Sequence, residues 1–132
     1  MGLSVARAQG SYVYDTDGKP YLDFVAGVSA CSVGHCHPKV VAAIQKQAQE
    51  YLHVMVYGEF AQGPAVAICK QLAAHLPDTL ESTYLVNSGT EAIEAALKLA
   101  RIATGRTELI YAQNAYHGNT MGAMSVMDYD QR

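Results

Sequence analysis

With 132 residues, half of them apolar and only 16% charged, the chain can build one ordinary domain, and a disordered or low-complexity protein is excluded. A formal net charge of −3 with scattered Lys and Arg gives no basic stripe for nucleic acid, and the apolar runs fall well short of the roughly 20 residues of a membrane helix. Cys31, Cys36 and Cys69 stand at no framework spacing and no signal-like leader opens the chain, which points to a reduced, cytoplasmic protein.

Tyr12-Val13-Tyr14 and Tyr21-Leu22-Asp23-Phe24 read as short strands. Asp15-Thr16-Asp17-Gly18-Lys19-Pro20 lies between them, and its Asp-Gly pair favours a tight turn, so a small hairpin is expected. The small residues from Ala26 to Gly34 read as loop. Pro38 suits a first helical turn, since its missing N–H would have had no partner there. Val41, Ile44, Ala48 and Tyr51 follow at helical spacing, which predicts a helix over 38–51 with one buried face. A second helix is expected after Gly63, with Pro64 in its first turn, a broad apolar stripe through Ile68, Leu72 and Leu76, and Pro77 at its end.

From Thr83 onward the pattern predicts a strand over 83–86, a long helix over 88–104 and a second strand over 108–112. This strand–helix–strand order implies a parallel α/β unit.

Ser88-Gly89-Thr90-Glu91 opens the long helix. Ser88 with Glu91 three residues later fits a capping box, and Glu94 with Lys98 is spaced as an i,i+4 ion pair. The Ala, Ile and Leu positions predict a helix mostly buried. A buried helix starting Ser-Gly-Thr presents free amides at its positive end. Gly89 has no side chain to hold an anion off, and the hydroxyls of Ser88 and Thr90 can add donors, which suits a phosphate dianion. Capping alone would equally account for Ser88, and a tight corner for Gly89. Neither Gly-x-x-x-x-Gly-Lys-Ser/Thr nor Gly-x-Gly-x-x-Gly occurs, so a nucleotide is not indicated.

Four segments in order resemble the class III aminotransferases. They are Tyr14-Asp15-x-x-Gly18-Lys19-x-Tyr21-Leu22-Asp23-Phe24, Gly34-His35-x-His37-Pro38, Asn87-Ser88-Gly89-Thr90-Glu91-Ala92, and Tyr116-His117-Gly118. The resemblance covers nearly the whole chain. It implies the N-terminal part of a pyridoxal-phosphate-dependent transferase of fold type I, like aspartate aminotransferase. That is a three-layer α/β/α domain with a small N-terminal hairpin and helix segment. Residues 1–57 would belong to the small domain and 58–132 would begin the large cofactor-binding domain.

By the same resemblance, Ser88, Gly89 and Thr90 hold the phosphate of pyridoxal 5′-phosphate. Tyr116 lies against the pyridine ring and His117 beside it. Ser29 and Asn119 are candidates for substrate contact. His35-Cys36-His37 has ligand-type side chains but too few for a zinc shell, and is read as structural, with no metal expected. Neither Cys31 nor Cys36 has an evident activating neighbour as a nucleophile.

The family's chemistry needs a Schiff-base lysine and an acidic partner for the ring nitrogen, both downstream of the Tyr-His-Gly segment. Lys19, Lys39, Lys46, Lys70 and Lys98 match no such context, so no catalytic residue is assigned and the chain alone is expected to be inactive. Relatives acting on ornithine-type substrates often carry Gly-Arg-Thr where this chain has Gly118-Asn119-Thr120. Asn119 lacks the charge that would grip a carboxylate in a bidentate fork, and Arg101 and Arg106 are no evident replacements. The expected function of the whole protein is transfer of an amino group between an amino acid or amine and a 2-oxo acid, by a homodimer. A cofactor-dependent aminomutase, racemase or decarboxylase of the same fold, or a non-catalytic dimerisation piece, are the alternatives.

Overall fold

The computed structural model describes residues 2–55 and 57–128. They form two compact units, Met1–Phe60 and Ala61–Arg132.

The first unit is built on a three-stranded antiparallel sheet, β1 (Val5–Gln9), β2 (Tyr12–Asp15) and β3 (Pro20–Leu22), in that order. The β2–β3 hairpin forms as expected. Its turn is held by the Asp15 carboxylate, which accepts the Asp17 and Lys19 amides at 3.0 and 2.8 Å, while Gly18 takes φ of 83°. Tyr21 donates its hydroxyl to the same carboxylate at 2.9 Å. Strand β1 was not anticipated, because Val-Ala-Arg-Ala-Gln lacks the β-branched and aromatic density that marks a strand. Pairing recruits it: Arg7 lies opposite Tyr14, with its guanidinium 3.4 Å from the ring centroid.

The Gly34-His35 segment is stitched to this sheet. Gly10 and His35 exchange both backbone hydrogen bonds, at 2.9 and 2.8 Å. Gly34 has φ of 86°, and a Cβ there would sit 3.2 Å from the Gly10 carbonyl oxygen, so both conformation and space call for glycine. The His35 ring contacts Asp23 at 2.7 Å, and the other oxygen of that carboxylate accepts the Val25 and Ala26 amides. Between these anchors lies α1 (Ala26–Ser29), a single left-handed turn. Ala26, Gly27, Val28 and Ser29 have φ of 49°, 61°, 56° and 67°, a costly run for three residues that carry a Cβ. Then α2 (Pro38–Glu50) begins on Pro38, as expected.

The second unit holds α3 (Gly63–His75), α4 (Gly89–Thr104) and α5 (Met121–Met124). Gly63 opens α3, and Gly105, at φ of 68°, closes α4 with a left-handed cap. The buried apolar residues among those described are Ala123, Val126 and Met127, in and just after α5.

Two expectations fail. The runs 83–86 and 108–112 are not strands: neither pairs with the other or with any described segment. A strand exists only with a partner to take its alternate amides and carbonyls, and these two do not serve each other. The apolar faces of α2, α3 and α4 are also not buried, for no residue of these helices is. Leu99 and Ile102 on α4 are 66% and 71% exposed. Periodicity identifies an apolar face, but burial requires an element packed on it, and among the described residues of this unit only α4 and α5 pack together.

The His35 contact is the first cause, and the Ala26 amide the second, of an Asp23 carboxyl held below the ordinary carboxylate range. A depressed acid contributes stability in full above its unfolded value, about 3.9, and loses it as pH falls through the lower folded value. Asp23→Asn is therefore expected to be less stable than the parent at neutral pH. Its stability should fall less steeply between about pH 5 and 2, as read by urea unfolding at stepped pH; Asp15, lowered in the same way, keeps part of that slope.

Candidate cofactor-phosphate site

Ser88 has extended backbone and caps α4, its hydroxyl oxygen accepting the Glu91 amide at 3.2 Å. The Glu91 carboxylate reaches back to the Asn87 amide at 2.7 Å, one residue beyond the Ser88 amide that takes the reciprocal bond in a capping box. These bonds fix the corner but leave the Gly89 and Thr90 amides without an acceptor among the described residues, as the first turn of any helix does. A Cβ built on Gly89 would meet nothing within 4 Å. Neither backbone conformation nor packing within the described residues asks for glycine there, and the space beside it is open.

That space is a hollow of about 750 Å³ lined by Gly89, Thr90, Ile93 and the run from Tyr116 to Thr120. Among the described residues, no acidic side chain and no lysine lines it. The 116–120 run is pressed against the first turn of α4. Gly118 has φ of 116°, and a Cβ there would overlap the Thr90 side chain. The Thr90 and Thr120 hydroxyls lie 2.9 Å apart. Tyr116 borders the hollow at 52% exposure.

Of the candidate residues, the structure brings together Gly89, Thr90, Tyr116, His117 and Asn119 around one hollow. Ser88 stands at its edge as the helix cap rather than in its lining. Ser29 belongs to the other unit, on the strained turn α1.

Glu94 was misread. It does not pair with Lys98: its carboxylate accepts the Gly122 and Ala123 amides at 2.9 and 3.2 Å, at the start of α5. The Thr120 side chain, followed by the two amides against the opposing cost of desolvation, holds its pKa below the ordinary value. An i,i+4 spacing predicts only what a helix offers in isolation, and amides without partners outbid an exposed lysine. The Gly-x-Met pattern at Gly122 carried no signal of this contact.

The fold matches part of solved transaminases. The chain superposes on adenosylmethionine-8-amino-7-oxononanoate aminotransferase from Methanocaldococcus jannaschii, with a TM-score of 0.89 and 32% identity over 96% of this chain and 30% of that one. A PLP-bound amine transaminase from an uncultivated Pseudomonas species gives 0.83 and 32% over 96% and 30%. The chain belongs to the class III aminotransferases, whose family model matches residues 1–132. Acetylornithine aminotransferase of Halalkalibacterium halodurans is 39% identical over 98% of the chain, and 5-aminovalerate aminotransferase of Pseudomonas aeruginosa 42% over 87%. The chain spans 33% and 27% of those two relatives' lengths.

The two glycines at the hollow should behave oppositely on substitution. Gly118→Ala forces a side chain into Thr90 at a positive φ, and is expected to cost about 2 kcal/mol or more by denaturant unfolding. Gly89→Ala, in open space at a helix start, should leave stability within about 0.5 kcal/mol of the parent.

Proposed function

We propose that this chain forms the phosphate-binding part of a pyridoxal-phosphate-dependent aminotransferase. The whole protein would move an amino group between an amino acid or amine and a 2-oxo acid. The observation that carries the reading is the Gly89 corner: among the described residues, two amides have no acceptor, and the open hollow beside them has no acidic side chain in its lining. An anion with several acceptor oxygens is the chemical complement of that corner. Ser88 uses an oxygen lone pair to cap the helix and so keeps its hydroxyl proton to donate outward. Tyr116 presents a rigid aromatic face at the same hollow, suited to stack on a flat heterocycle, with His117 alongside.

When bound, pyridoxal phosphate supplies an electron sink through which an amino group is detached from one carbon and delivered to another. The residues here contribute grip and orientation: amides and hydroxyls hold the phosphate end, Tyr116 fixes the ring plane, and the ring's reacting edge is left to be served from elsewhere. Among the described residues, no lysine borders the hollow. Asn119, in the lining, offers a neutral hydrogen-bonding group to a substrate, which weighs against simple transfer of an acetylornithine or ornithine preference. Ser29 is retained only as a substrate-side candidate. A homodimer in a reducing cytoplasm completes the reading, and Cys31, Cys36 and Cys69, all unpaired, suit that compartment.

Titration of the chain with pyridoxal phosphate, followed by absorbance, tests the assignment. Weak binding is expected, reduced by Gly89→Ala without loss of fold. Tyr116→Ala should reduce it by roughly 2- to 12-fold, the worth of one stacked aromatic contact. Borohydride should leave no pyridoxyl group on any lysine of the chain. A Gly89→Ala variant that binds as the parent does, or a specific reduced adduct on one of these lysines, would contradict the proposal.

A further inference from the structure

The hollow depends on two segments far apart in the chain, the first turn of α4 and the run leading into α5. Their contacts fall in one line. Thr90 meets Gly118 and the Thr120 hydroxyl, and one turn further along the same face of α4, Glu94 takes the Gly122 and Ala123 amides. These amides open a helix and have no partner inside it. Glu94 supplies a charge-assisted acceptor for both through a single oxygen. Gly122 leaves room for that carboxylate, which any Cβ at this position would overlap. Thr120 caps α5 two residues ahead of Gly122, so fixing the amides also fixes the Thr120 hydroxyl. Glu94 itself does not line the hollow.

We propose that Glu94 is a positioning residue for the cofactor-phosphate corner: by clamping the start of α5 it holds Thr120 and Gly118 against Thr90. The corner thereby keeps the shape that receives an anion. This rests on reading the Gly89 corner as a phosphate site. A residue that positions the phosphate end, rather than merely stabilising the fold, must matter more for a phosphorylated ligand than for its dephosphorylated analogue.

The test compares dissociation constants of pyridoxal phosphate and pyridoxal in the full-length protein. Glu94→Ala is expected to weaken pyridoxal phosphate by roughly tenfold or more, a change of one decade in the equilibrium constant, and to leave pyridoxal unchanged. Glu94→Gln keeps a carbonyl that can accept both amides and should restore part of the lost affinity. If Glu94→Ala fails to fold, Thr120→Val takes its place: it removes the hydroxyl that meets both Thr90 and the Glu94 carboxylate and leaves the Gly122 and Ala123 amides to that carboxylate, and the same selective loss is expected. Equal losses for the two ligands, or unaltered pyridoxal phosphate affinity in a folded variant, would overturn the positioning role alone. A parent protein that does not prefer pyridoxal phosphate over pyridoxal would sink the phosphate reading and this inference with it.

Discussion

The second unit depends on one close approach, that of Gly118 to Thr90. Backbone can lie against a threonine side chain only where no Cβ intervenes, and the φ of 116° at Gly118 turns the chain along that contact. The consequences run outward. The Thr90 and Thr120 hydroxyls come within 2.9 Å, Glu94 reaches the amides of α5, and α5 brings with it the buried residues Ala123, Val126 and Met127. A helix start that is left with spare donors becomes one wall of a hollow because the opposite wall is held there. Without that approach, the free amides at Gly89 would be an ordinary solvated helix end.

How much of this could be read beforehand varies with how local the cause is. The proline starts of α2 and α3, the Ser88 cap and the Asp-Gly turn each depend on residues within four positions, and each formed as expected. The juxtaposition of Ser-Gly-Thr with Tyr-His-Gly was legible only through family resemblance, since nothing local in either run specifies the other. Glu94 shows the limit of local rules: its spacing to Lys98 is right for an ion pair, yet its partners lie 28 and 29 positions away. Strand β1, poor in strand-forming residues, exists because β2 offers it a ladder. The runs at 83–86 and 108–112 have the composition and lack the ladder.

The exposed apolar side of α4 follows from the same physics. Leu99 and Ile102 are spaced for burial, yet among the described residues of this unit they stay 66% and 71% exposed. The chain spans about a third of the length of the relatives it matches, and an apolar helix face is buried only where another layer packs on it. The site is less affected, because its parts are an N-terminal turn and a loop joined by side chain–backbone bonds rather than by a finished core.

The central claim is that the Gly89 and Thr90 amides are donors kept for an anion, and amide chemical shifts report on that directly. In ¹⁵N–¹H spectra of the chain titrated with inorganic phosphate at constant pH and ionic strength, the Gly89 and Thr90 resonances should move saturably and ahead of those elsewhere. Shifts confined to other residues, with these two amides unmoved, would contradict the account.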